Sequence, residues 1–482
     1  MDLERVIAAL APTDVVGRAP VTIEDLAYDA RRAGPGSLFF CVAGARADGH
    51  DFGAEAVARG AVALVVERPL EQPVPQLVVA NSRAAMAVAA DVFFGEPTRE
   101  LLVAGVTGTN GKTTTAFLLH SILEAAGLRP GLLGTVESRV GGSVRAVERT
   151  TPEAIDLQRT FREQLDLGDR SSVIEASSHA SELRRLDRVR FAALVFTNLT
   201  QDHLDFHGTM ERYFEAKRRL FLEGERPPAA VNVDDAYGRL LLAGLRAARH
   251  EPVVTFGFAA GADVRPEQLE LTASGTRFRA SGLELRSRLR GRFNVENILA
   301  AVAAARLLDL ADQDIAAGVE AIEGVPGRFE AVEEGQPFAV LVDYAHTPAS
   351  LEKVLRTARD LTEGRLIAVF GCGGDRDQGK RPLMGRIAAE LSDLAIVTSD
   401  NPRAEDPHAI IDEILAGAGP AVEIEPDRRA AIERALELAE PGDAVVIAGK
   451  GHEQGQEVAG RKLPFDDRQV ARKALRRLGA RA

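Results

Sequence analysis

Cysteine is nearly absent from this sequence. Cys41 and Cys372 are the only two cysteines among 482 residues, and they lie far apart and outside any metal-ligand spacing. The sequence therefore indicates neither a disulfide framework nor a zinc site. Such sparing use of cysteine fits the reducing environment of the cytoplasm.

Long uncharged apolar runs are absent as well. None approaches the ~18 residues that a membrane span needs. The N-terminus carries Asp2 and Glu4 in place of the basic and then apolar regions of a secretory signal. We expect a soluble cytoplasmic protein that is not inserted in a membrane.

Basic side chains are outnumbered by acidic ones, 59 to 71, which gives a formal net charge of −12. This balance argues against a protein that its overall field holds to nucleic acid or anionic lipid. Any phosphate must therefore be bound locally. No internal repeat or low-complexity tract is present, and a monomer is the simplest expectation.

The chain is long enough for about three domains. Short apolar runs alternate with helical stretches in residues 1–98, which predicts a small α/β domain. Residues 99–324 repeat this alternation, which is typical of a parallel sheet covered on both faces, with a β-rich insertion between 263 and 292. A third α/β series fills residues 325–482. We therefore predict an α/β fold in three domains.

The strongest local signal is a glycine-rich loop between an apolar strand and a helix, where backbone N–H groups can cradle phosphates. It is a P-loop variant, because Val106 stands where the usual pattern has its first glycine. Lys112 would reach the β- and γ-phosphates and Thr113 would ligate Mg²⁺. The alternative is a plain glycine-rich turn with an exposed lysine. The predicted ATP-binding residues here are Gly108, Thr109, Asn110, Gly111, Lys112, Thr113 and Thr114.

Two further motifs accompany this loop: E-A-S-S-H at 175–179 and T-N-L-T-Q-D-H-L-D at 197–205. With them, the whole chain resembles the Mur ligases, the family that also includes folylpolyglutamate synthases. The resemblance implies an N-terminal UDP-binding domain, a central P-loop ATPase domain and a C-terminal Rossmann-like domain. It also implies an ATP- and Mg²⁺-dependent ligase that activates a carboxylate as an acyl phosphate and captures it with an amine.

Four side chains are the predicted catalytic and metal-binding group. Glu175 ends an apolar run, so its carboxylate can join Thr113 on Mg²⁺, although a lone glutamate there is more often solvated or caps a helix. The resemblance assigns His203 to a second Mg²⁺ and makes Lys217 a carbamylated lysine. Without it, His203 would be a satisfied loop histidine and Lys217 an exposed lysine on a basic helix face. The catalytic set is then Lys112, Glu175, His203 and Lys217, and the metal set is Thr113, Glu175, His203 and Lys217.

The resemblance also implies nucleotide and acceptor contacts. Asn294, Asn297, Arg328 and Asp343 match family positions that bind ATP, although the asparagines could equally be helix caps. Segments 35–39 and 44–50 resemble the UDP-binding domain, which folylpolyglutamate synthases lack. Ala30 replaces a serine usual in the family and Leu183 a glutamine, so those two contacts are in question. The implied acceptor-binding residues are Tyr28, Ala30, Thr150, Thr151, Ser177 and Arg185.

The motif D-N-P-R at 400–403 resembles that of Mur ligases that add meso-diaminopimelate to the D-Glu γ-carboxylate of UDP-MurNAc-L-Ala-D-Glu. Diaminopimelate carries a distal carboxylate that Arg403 can bind in bidentate fashion. Glu453 would pair with an ammonium group. The alternative amino acids are L-lysine and L-ornithine. The alternative identities of the protein are another member of the ligase family and a regulator that binds a nucleotide without catalysis. The implied amino-acid site comprises Arg376, Asp400, Asn401, Pro402, Arg403, Gly449 and Glu453.

Overall fold

The computed structural model of the protein describes residues 1–17, 19–44, 47–272, 274–419 and 422–479. Ala45 and Arg46, in the segment that resembles a UDP-binding loop, lie outside these residues. Three successive parts of the chain each form a sheet covered by helices, which confirms the predicted three-domain α/β architecture. Within the described ranges, no helix is long and apolar enough to cross a membrane.

The first sheet has five strands in the order β1-β5-β4-β3-β2, all parallel except β1. Its strands are β1 (Asp14–Val16), β2 (Asp25–Ala27), β3 (Ser37–Phe40), β4 (Ala61–Val66) and β5 (Gln76–Val78). Its helices are α1 (Leu3–Leu10), α2 (Gly53–Ala58) and α3 (Ser82–Phe93). Every residue of β3 is buried, as expected for a strand covered on both faces.

The second sheet has eight strands in the order β13-β12-β11-β6-β10-β7-β8-β9. Only β8 and β9 run antiparallel to their neighbours. The strands are β6 (Leu102–Thr107), β7 (Pro130–Leu133), β8 (Ser138–Val140), β9 (Ser143–Arg145), β10 (Ser171–Glu175), β11 (Phe191–Phe196), β12 (Ala229–Asn232) and β13 (Val253–Phe256). In register, Glu175 lies opposite Val106 and Phe196 opposite Thr107. Both predicted motifs therefore emerge at the same sheet edge as the glycine-rich loop.

Helices cover both faces of this sheet. One apolar core joins the sheet to α4 (Lys112–Ala125), α10 (Arg292–Leu307) and α11 (Asp312–Ala321). The core on the other face includes α5 (Ala154–Asp166), α8 (Met210–Leu222) and α9 (Ala236–Ala247). Two short helices, α6 (Ser178–Glu182) and α7 (Leu204–His207), follow strand ends.

The predicted β-rich insertion is an antiparallel three-stranded sheet. It consists of β14 (Glu267–Thr272), β15 (Gly275–Ala280) and β16 (Leu283–Ser287). Burial alternates along β15 and β16, so one face packs on the core and the other faces solvent. Phe278 and Leu285 on the buried face belong to the same core as α10.

The third sheet has six strands in the order β17-β18-β22-β19-β20-β21, and only β17 is antiparallel. The strands are β17 (Glu330–Ala331), β18 (Ala339–Asp343), β19 (Leu366–Phe370), β20 (Leu394–Val397), β21 (Val422–Ile424) and β22 (Ala444–Ala448). Helices α12 (Pro348–Asp360), α13 (Lys380–Leu391) and α14 (Pro407–Ala418) cover one face, and α15 (Arg428–Leu438) and α16 (Asp467–Gly479) the other. A hairpin of β23 (Gly455–Val458) and β24 (Arg461–Pro464) follows β22.

Candidate active site

The glycine-rich loop between β6 and α4 is held open by contacts that only glycine permits. Gly108 and Gly111 adopt positive φ of 147° and 86°. A Cβ on Gly108 would come within 1.9 Å of Thr197 Oγ1. The next motif supports the loop from outside, because Asn110 N donates to Asn198 Oδ1 at 3.0 Å. The backbone amides are thus preorganised before any phosphate arrives.

Two lysine ammonium groups meet under this loop. Lys112 Nζ donates to Gly108 O at 2.9 Å and to Thr109 O at 2.7 Å. Lys217 Nζ donates to the same Gly108 O at 2.9 Å and lies 4.7 Å from the centre of the Tyr213 ring. Lys217 is only 1% exposed, so the reading of it as a surface lysine is wrong. Burial lowers the pKa of both lysines, and for Lys217 the charge of Lys112 adds to the effect.

Glu175 is buried at the end of β10 and accepts hydrogen bonds from two threonines, so it is neither solvated nor a helix cap. Its Oε2 accepts from Thr113 Oγ1 at 3.1 Å and from Thr135 Oγ1 at 3.0 Å, and its Oε1 accepts from Thr135 N at 2.8 Å. Arg328 Nη2 donates to Thr113 Oγ1 at 3.1 Å. Thr135 had no signal in the sequence, because it sits on an irregular turn after β7.

This pair of oxygens fits Mg²⁺. Adjacent ligands in an octahedron with bonds of about 2.1 Å lie about 3 Å apart, and Thr113 Oγ1 and Glu175 Oε2 are separated by 3.1 Å. Nowhere in the described ranges do three or more His, Cys, Asp or Glu side chains cluster as a metal cage. Mg²⁺ commonly takes one or two protein ligands and completes its shell with phosphate oxygens and water. The residues present are suited to that arrangement.

His203 lies in the left-handed region, at φ 54°, just before α7. Its Nε2 is 3.4 Å from Asp202 Oδ2, and its ring contacts the His179 ring edge to face at 4.8 Å between centres. The side chain is 41% exposed and lines the same cavity as Lys112 and Lys217. It is therefore accessible to a metal or phosphate in that cavity.

The predicted nucleotide residues of the second and third domains converge on this cavity, which has a volume of about 400 Å³. Asn297, Arg328 and Asp343 line it together with Lys112. Asp343 Oδ2 accepts from Phe329 N at 2.7 Å, and burial raises the pKa of Asp343 to about 6. Lys112 of the second domain and Asp343 of the third therefore face one cavity.

The asparagines are not helix caps, because Gly291 holds the N-cap position of α10. Asn294 lies behind Asn297: it donates to Arg290 O at 2.9 Å and accepts from Asn297 Nδ2 at 3.0 Å. Asn297 lines the cavity, whereas Asn294 does not belong to its wall. Asn294 thus orients Asn297 from behind.

Four of the six predicted acceptor residues line the same cavity: Thr150, Thr151, Ser177 and Arg185. Thr151 Oγ1 donates to Glu175 O at 2.7 Å and lies 3.0 Å from Ser177 Oγ. Arg185 donates to Thr151 O at 3.1 Å and pairs with Glu153 at 2.8 Å. Thr150 Oγ1 lies 3.1 Å from Thr135 Oγ1. The acceptor residues are therefore in direct contact with the group around Glu175.

Glu153 also forms ion pairs with two arginines that the sequence did not predict for this site. Arg149 pairs with it at 2.9 Å and Arg83, from α3 in the first domain, at 3.3 Å. Glu153 is 6% exposed, so three guanidinium groups, counting Arg185, surround one buried carboxylate. This excess of positive charge is suited to an anionic acceptor. The contacts of Arg83 and Arg185 with Glu153 join distant parts of the chain and leave no local pattern, whereas Arg149 lies only four residues from Glu153.

A second cavity, of about 620 Å³, lies between the first and second domains. Tyr28 lines it and donates to Asp156 Oδ2 at 2.6 Å. Arg149 and Thr150 line both cavities, so they stand where the two meet. Ala30 is instead 5% exposed and packs in an apolar cluster with Phe39. Leu183, the other departure, is partly buried at the C-terminal end of α6.

The predicted amino-acid residues form a separate cluster at the ends of β20 and β22. Asp400 is 7% exposed, and its Oδ2 has no hydrogen-bond partner among the described residues. A Cβ on Gly449 would come within 2.4 Å of that oxygen. Asn401 Nδ2 donates to Glu453 Oε2 at 2.8 Å. The D-N-P-R motif and the loop of residues 449–453 are therefore in direct contact.

Arg403 is held from both sides and is 22% exposed, so it is not a free surface arginine. It donates to Gly374 O at 2.6 Å and pairs with Glu457 at 3.4 Å. Pro402 O accepts from Glu405 N at 3.0 Å and closes the turn. Arg376 is exposed on the adjoining loop, where its guanidinium donates to Asp375 O at 3.0 Å.

Comparison with known proteins identifies the family. Family models match three stretches of the chain: the Mur ligase family catalytic domain at residues 22–94, the Mur ligase middle domain at 106–305, and the Mur ligase glutamate ligase domain at 327–451. A relative from Solibacter usitatus is 47% identical over 98% of this chain and 95% of its own length. The chain belongs to the Mur ligase family.

The Solibacter Mur ligase is named UDP-N-acetylmuramoyl-L-alanyl-D-glutamate--2,6-diaminopimelate ligase. A Mur ligase of the same name from Geobacillus kaustophilus is 48% identical over 94% of this chain and 95% of its own. A solved structure of a Mur ligase with that name matches 99% of both chains, with 32% identity and a TM-score of 0.72.

Proposed function

We propose that this Mur ligase joins meso-diaminopimelate to the D-Glu γ-carboxylate of UDP-MurNAc-L-Ala-D-Glu, with ATP as the energy source, in peptidoglycan precursor synthesis. One observation carries the proposal: the phosphate-binding Lys112 and the acceptor-side Thr151 and Arg185 line one cavity. An acceptor carboxylate and a γ-phosphate can therefore meet there. The names of the relatives support this choice of acceptor and amino acid.

In the proposed reaction, the acceptor carboxylate attacks the γ-phosphate and gives an acyl phosphate and ADP. Lys112 and Arg328 offset the negative charge that converges as these two anions approach. Thr151, Ser177 and Arg185 orient the peptide end of the acceptor. Asn297 and Asp343 hold the nucleoside end of ATP. When bound between Thr113 and Glu175, Mg²⁺ would supply further charge neutralisation at the phosphates.

We propose that Lys217 reacts with CO₂ to form a carbamate, which then helps His203 hold a second Mg²⁺. The support is geometric: Lys217 Nζ is buried under the loop that binds phosphate, beside Lys112. Carbamylation requires the neutral amine and removes one of two adjacent positive charges. A lowered pKa of Lys217 favours that neutral form.

The amino acid would bind in the third domain. Arg403 would bind the distal carboxylate of diaminopimelate. Asn401 and Lys450 hold the Oε2 of Glu453, and this carboxylate would pair with an ammonium group of the amino acid. The amine attacks the acyl phosphate, releases inorganic phosphate and forms the amide. L-lysine or L-ornithine is the alternative amino acid, and both lack the distal carboxylate.

We propose domain limits at residues 1–98, 99–324 and 325–482, and a monomer that acts in the cytoplasm on small-molecule substrates, without nucleic acid. The limits follow the breaks between the three sheets.

The test is ADP release by the purified protein with UDP-MurNAc-L-Ala-D-Glu, ATP and Mg²⁺, comparing meso-diaminopimelate, L-lysine and L-ornithine. We expect diaminopimelate to be strongly preferred and Arg403→Ala to lose that preference. Arg434→Ala, which removes a guanidinium that is 51% exposed, is the matched control. Preference for lysine or ornithine would overturn the amino-acid assignment. No turnover with any of the three would overturn the acceptor assignment.

A further inference from the structure

Lys450 is a fully buried cation that neither the sequence motifs nor the proposed chemistry uses. Its side chain is 0% exposed. Its Nζ donates to Asn401 Oδ1 at 2.8 Å and to Glu453 Oε2 at 2.9 Å. A buried ammonium group without function is costly to retain, because removing it from water must be offset by its partners. Both partners here belong to the proposed amino-acid site.

The contacts of Lys450 fix the orientation of Asn401. Asn401 Oδ1 accepts from Lys450 Nζ and from Glu457 N at 3.0 Å, so this atom must be the oxygen of the amide. The Nδ2 atom then donates to Glu453 Oε2. Lys450, Asn401 and Glu453 form a closed triangle that joins the loop after β20 to the loop after β22.

Lys450 also sets the charge of the cluster. Asp400, Glu453 and Glu457 are carboxylates, whereas Arg403 and Lys450 are the two cations in contact with them or with Asn401. Arg428 is a further buried cation, but it is paired with Asp467, which contributes more to the rise of its pKa than Asp400 and Glu453 do. Without Lys450, the cluster would lose the cation that directly contacts Asn401 and Glu453. Such a site would repel a ligand with a second carboxylate and favour one with a net positive charge.

We propose that Lys450 is a positioning residue that also determines specificity: it fixes Asn401 and Glu453 and keeps the amino-acid site able to accept a substrate with two carboxylates. This inference rests on the proposed function and extends it. The substrate class is a zwitterionic diamino acid with two carboxylates and no net charge, distinguished from a monocarboxylic diamino acid with a net charge of about +1.

The test compares kcat/KM for meso-diaminopimelate and for L-lysine in the full-length protein and in Lys450→Met, which keeps much of the side-chain length without the charge. We expect Lys450→Met to lower the ratio of kcat/KM for meso-diaminopimelate to that for L-lysine by at least about tenfold. The KM values for ATP and for the acceptor should stay within about twofold of those of the unmodified protein. Lys473→Met, at an exposed position on α16, is the matched control and should keep the ratio. A folding defect lowers both kcat/KM values together and leaves the ratio unchanged.

Glu453→Gln provides a second measurement with the opposite sign. This variant leaves Lys450 in place and removes a negative charge. The ratio of kcat/KM for meso-diaminopimelate to that for L-lysine should therefore rise. An unchanged ratio in Lys450→Met, or a shift of both variants in the same direction, would overturn the inference. If the unmodified protein shows no turnover with diaminopimelate and none with lysine, the proposed function itself fails, which is a distinguishable result.

Discussion

Lys112 and Lys217 donate hydrogen bonds to the same carbonyl oxygen, that of Gly108. One lysine begins α4 and the other lies on α8, so two ammonium groups converge from different helices on one atom. Like charges at such separation repel strongly in a buried setting. Conversion of one of them to an anion would replace repulsion with attraction, and Lys217 is the more buried of the two.

We therefore predict that activity depends on dissolved CO₂. Lys217→Ala should lower kcat by at least about a hundredfold. The variant lacks the carbamate anion that would help to hold Mg²⁺ beside the phosphoryl group being transferred. Short carboxylic acids should restore part of the activity of this variant. A carbamate signal should appear in ¹³C NMR after incubation with ¹³C-bicarbonate and be absent from Lys217→Ala. Full activity of the variant, or no carbamate signal in the unmodified protein, would contradict the prediction.

Glu175→Gln should raise the Mg²⁺ concentration needed for half-maximal ADP release by at least about tenfold. The amide can still accept from Thr135, so the local fold is retained while the charge on the metal ligand is lost. Thr113→Val should shift the same curve in the same direction. Thr115→Val, one helical turn inside α4 and fully buried, controls for loss of a hydroxyl in the helix. An unchanged Mg²⁺ curve for Glu175→Gln would remove it from the metal site.

Arg149→Ala should raise the KM for the UDP-sugar peptide by about tenfold and leave the KM for the amino acid unchanged, because a charged hydrogen-bond donor at the junction of the two cavities is lost. Arg5→Ala, at an exposed position in α1, removes an arginine away from both cavities and should change neither constant. Equal effects on all substrates would indicate a general structural role for Arg149.

Asp343 links the site to stability. Burial raises its pKa to about 6 in the folded protein, whereas the unfolded value is about 3.9. The folded state thus binds the proton more tightly, so the contribution to stability is complete below the unfolded pKa and is lost as the pH rises through about 6. Asp343→Asn should raise the free energy of unfolding by up to about 3 kcal/mol at pH 8 and leave it unchanged near pH 3.5.

Asp343→Asn should at the same time weaken ATP binding. A binding site can retain a charge that lowers stability because the charge is needed to bind the ligand. Denaturant unfolding at both pH values checks the stability. Asp48→Asn is the opposite-sign control, because hydrogen bonds from the backbone and ring of His50 hold the pKa of Asp48 well below its usual range. It should lose stability at pH 8. A stability difference for Asp343→Asn that does not depend on pH would contradict the assignment.

The parts of the fold and site that the sequence predicted are those encoded by short, local patterns. The loop of residues 107–113 is recognisable because a buried strand, a glycine-rich turn and a helix follow one another. Glu175 could be assigned to the same sheet edge because it ends an apolar run, and parallel strands end together. The alternating polar and apolar residues of β15 and β16 likewise marked the insertion.

The parts that escaped prediction depend on contacts between distant segments. Arg83 and Glu153 are 70 residues apart in sequence, and nothing near either one indicates the pair. Lys450 follows a glycine in a polar stretch that reads as an exposed loop, yet it is fully buried against Asn401. Local composition reports how a segment prefers to fold, but polar contacts between distant segments are decided only when the sheets are assembled.

Arg149 and Thr150 stand where the cavity beside Tyr28 opens into the cavity beside Lys112. In the proposed reaction, a linear acceptor anchored by its nucleotide in the first cavity would extend past this pair to bring its terminal carboxylate to the phosphates. In this reaction, the length of the acceptor from its nucleotide to its carboxylate would have to match the path between the two cavities. The order in which residues are added to a growing peptide would thus be enforced by length, with no need to inspect every side chain.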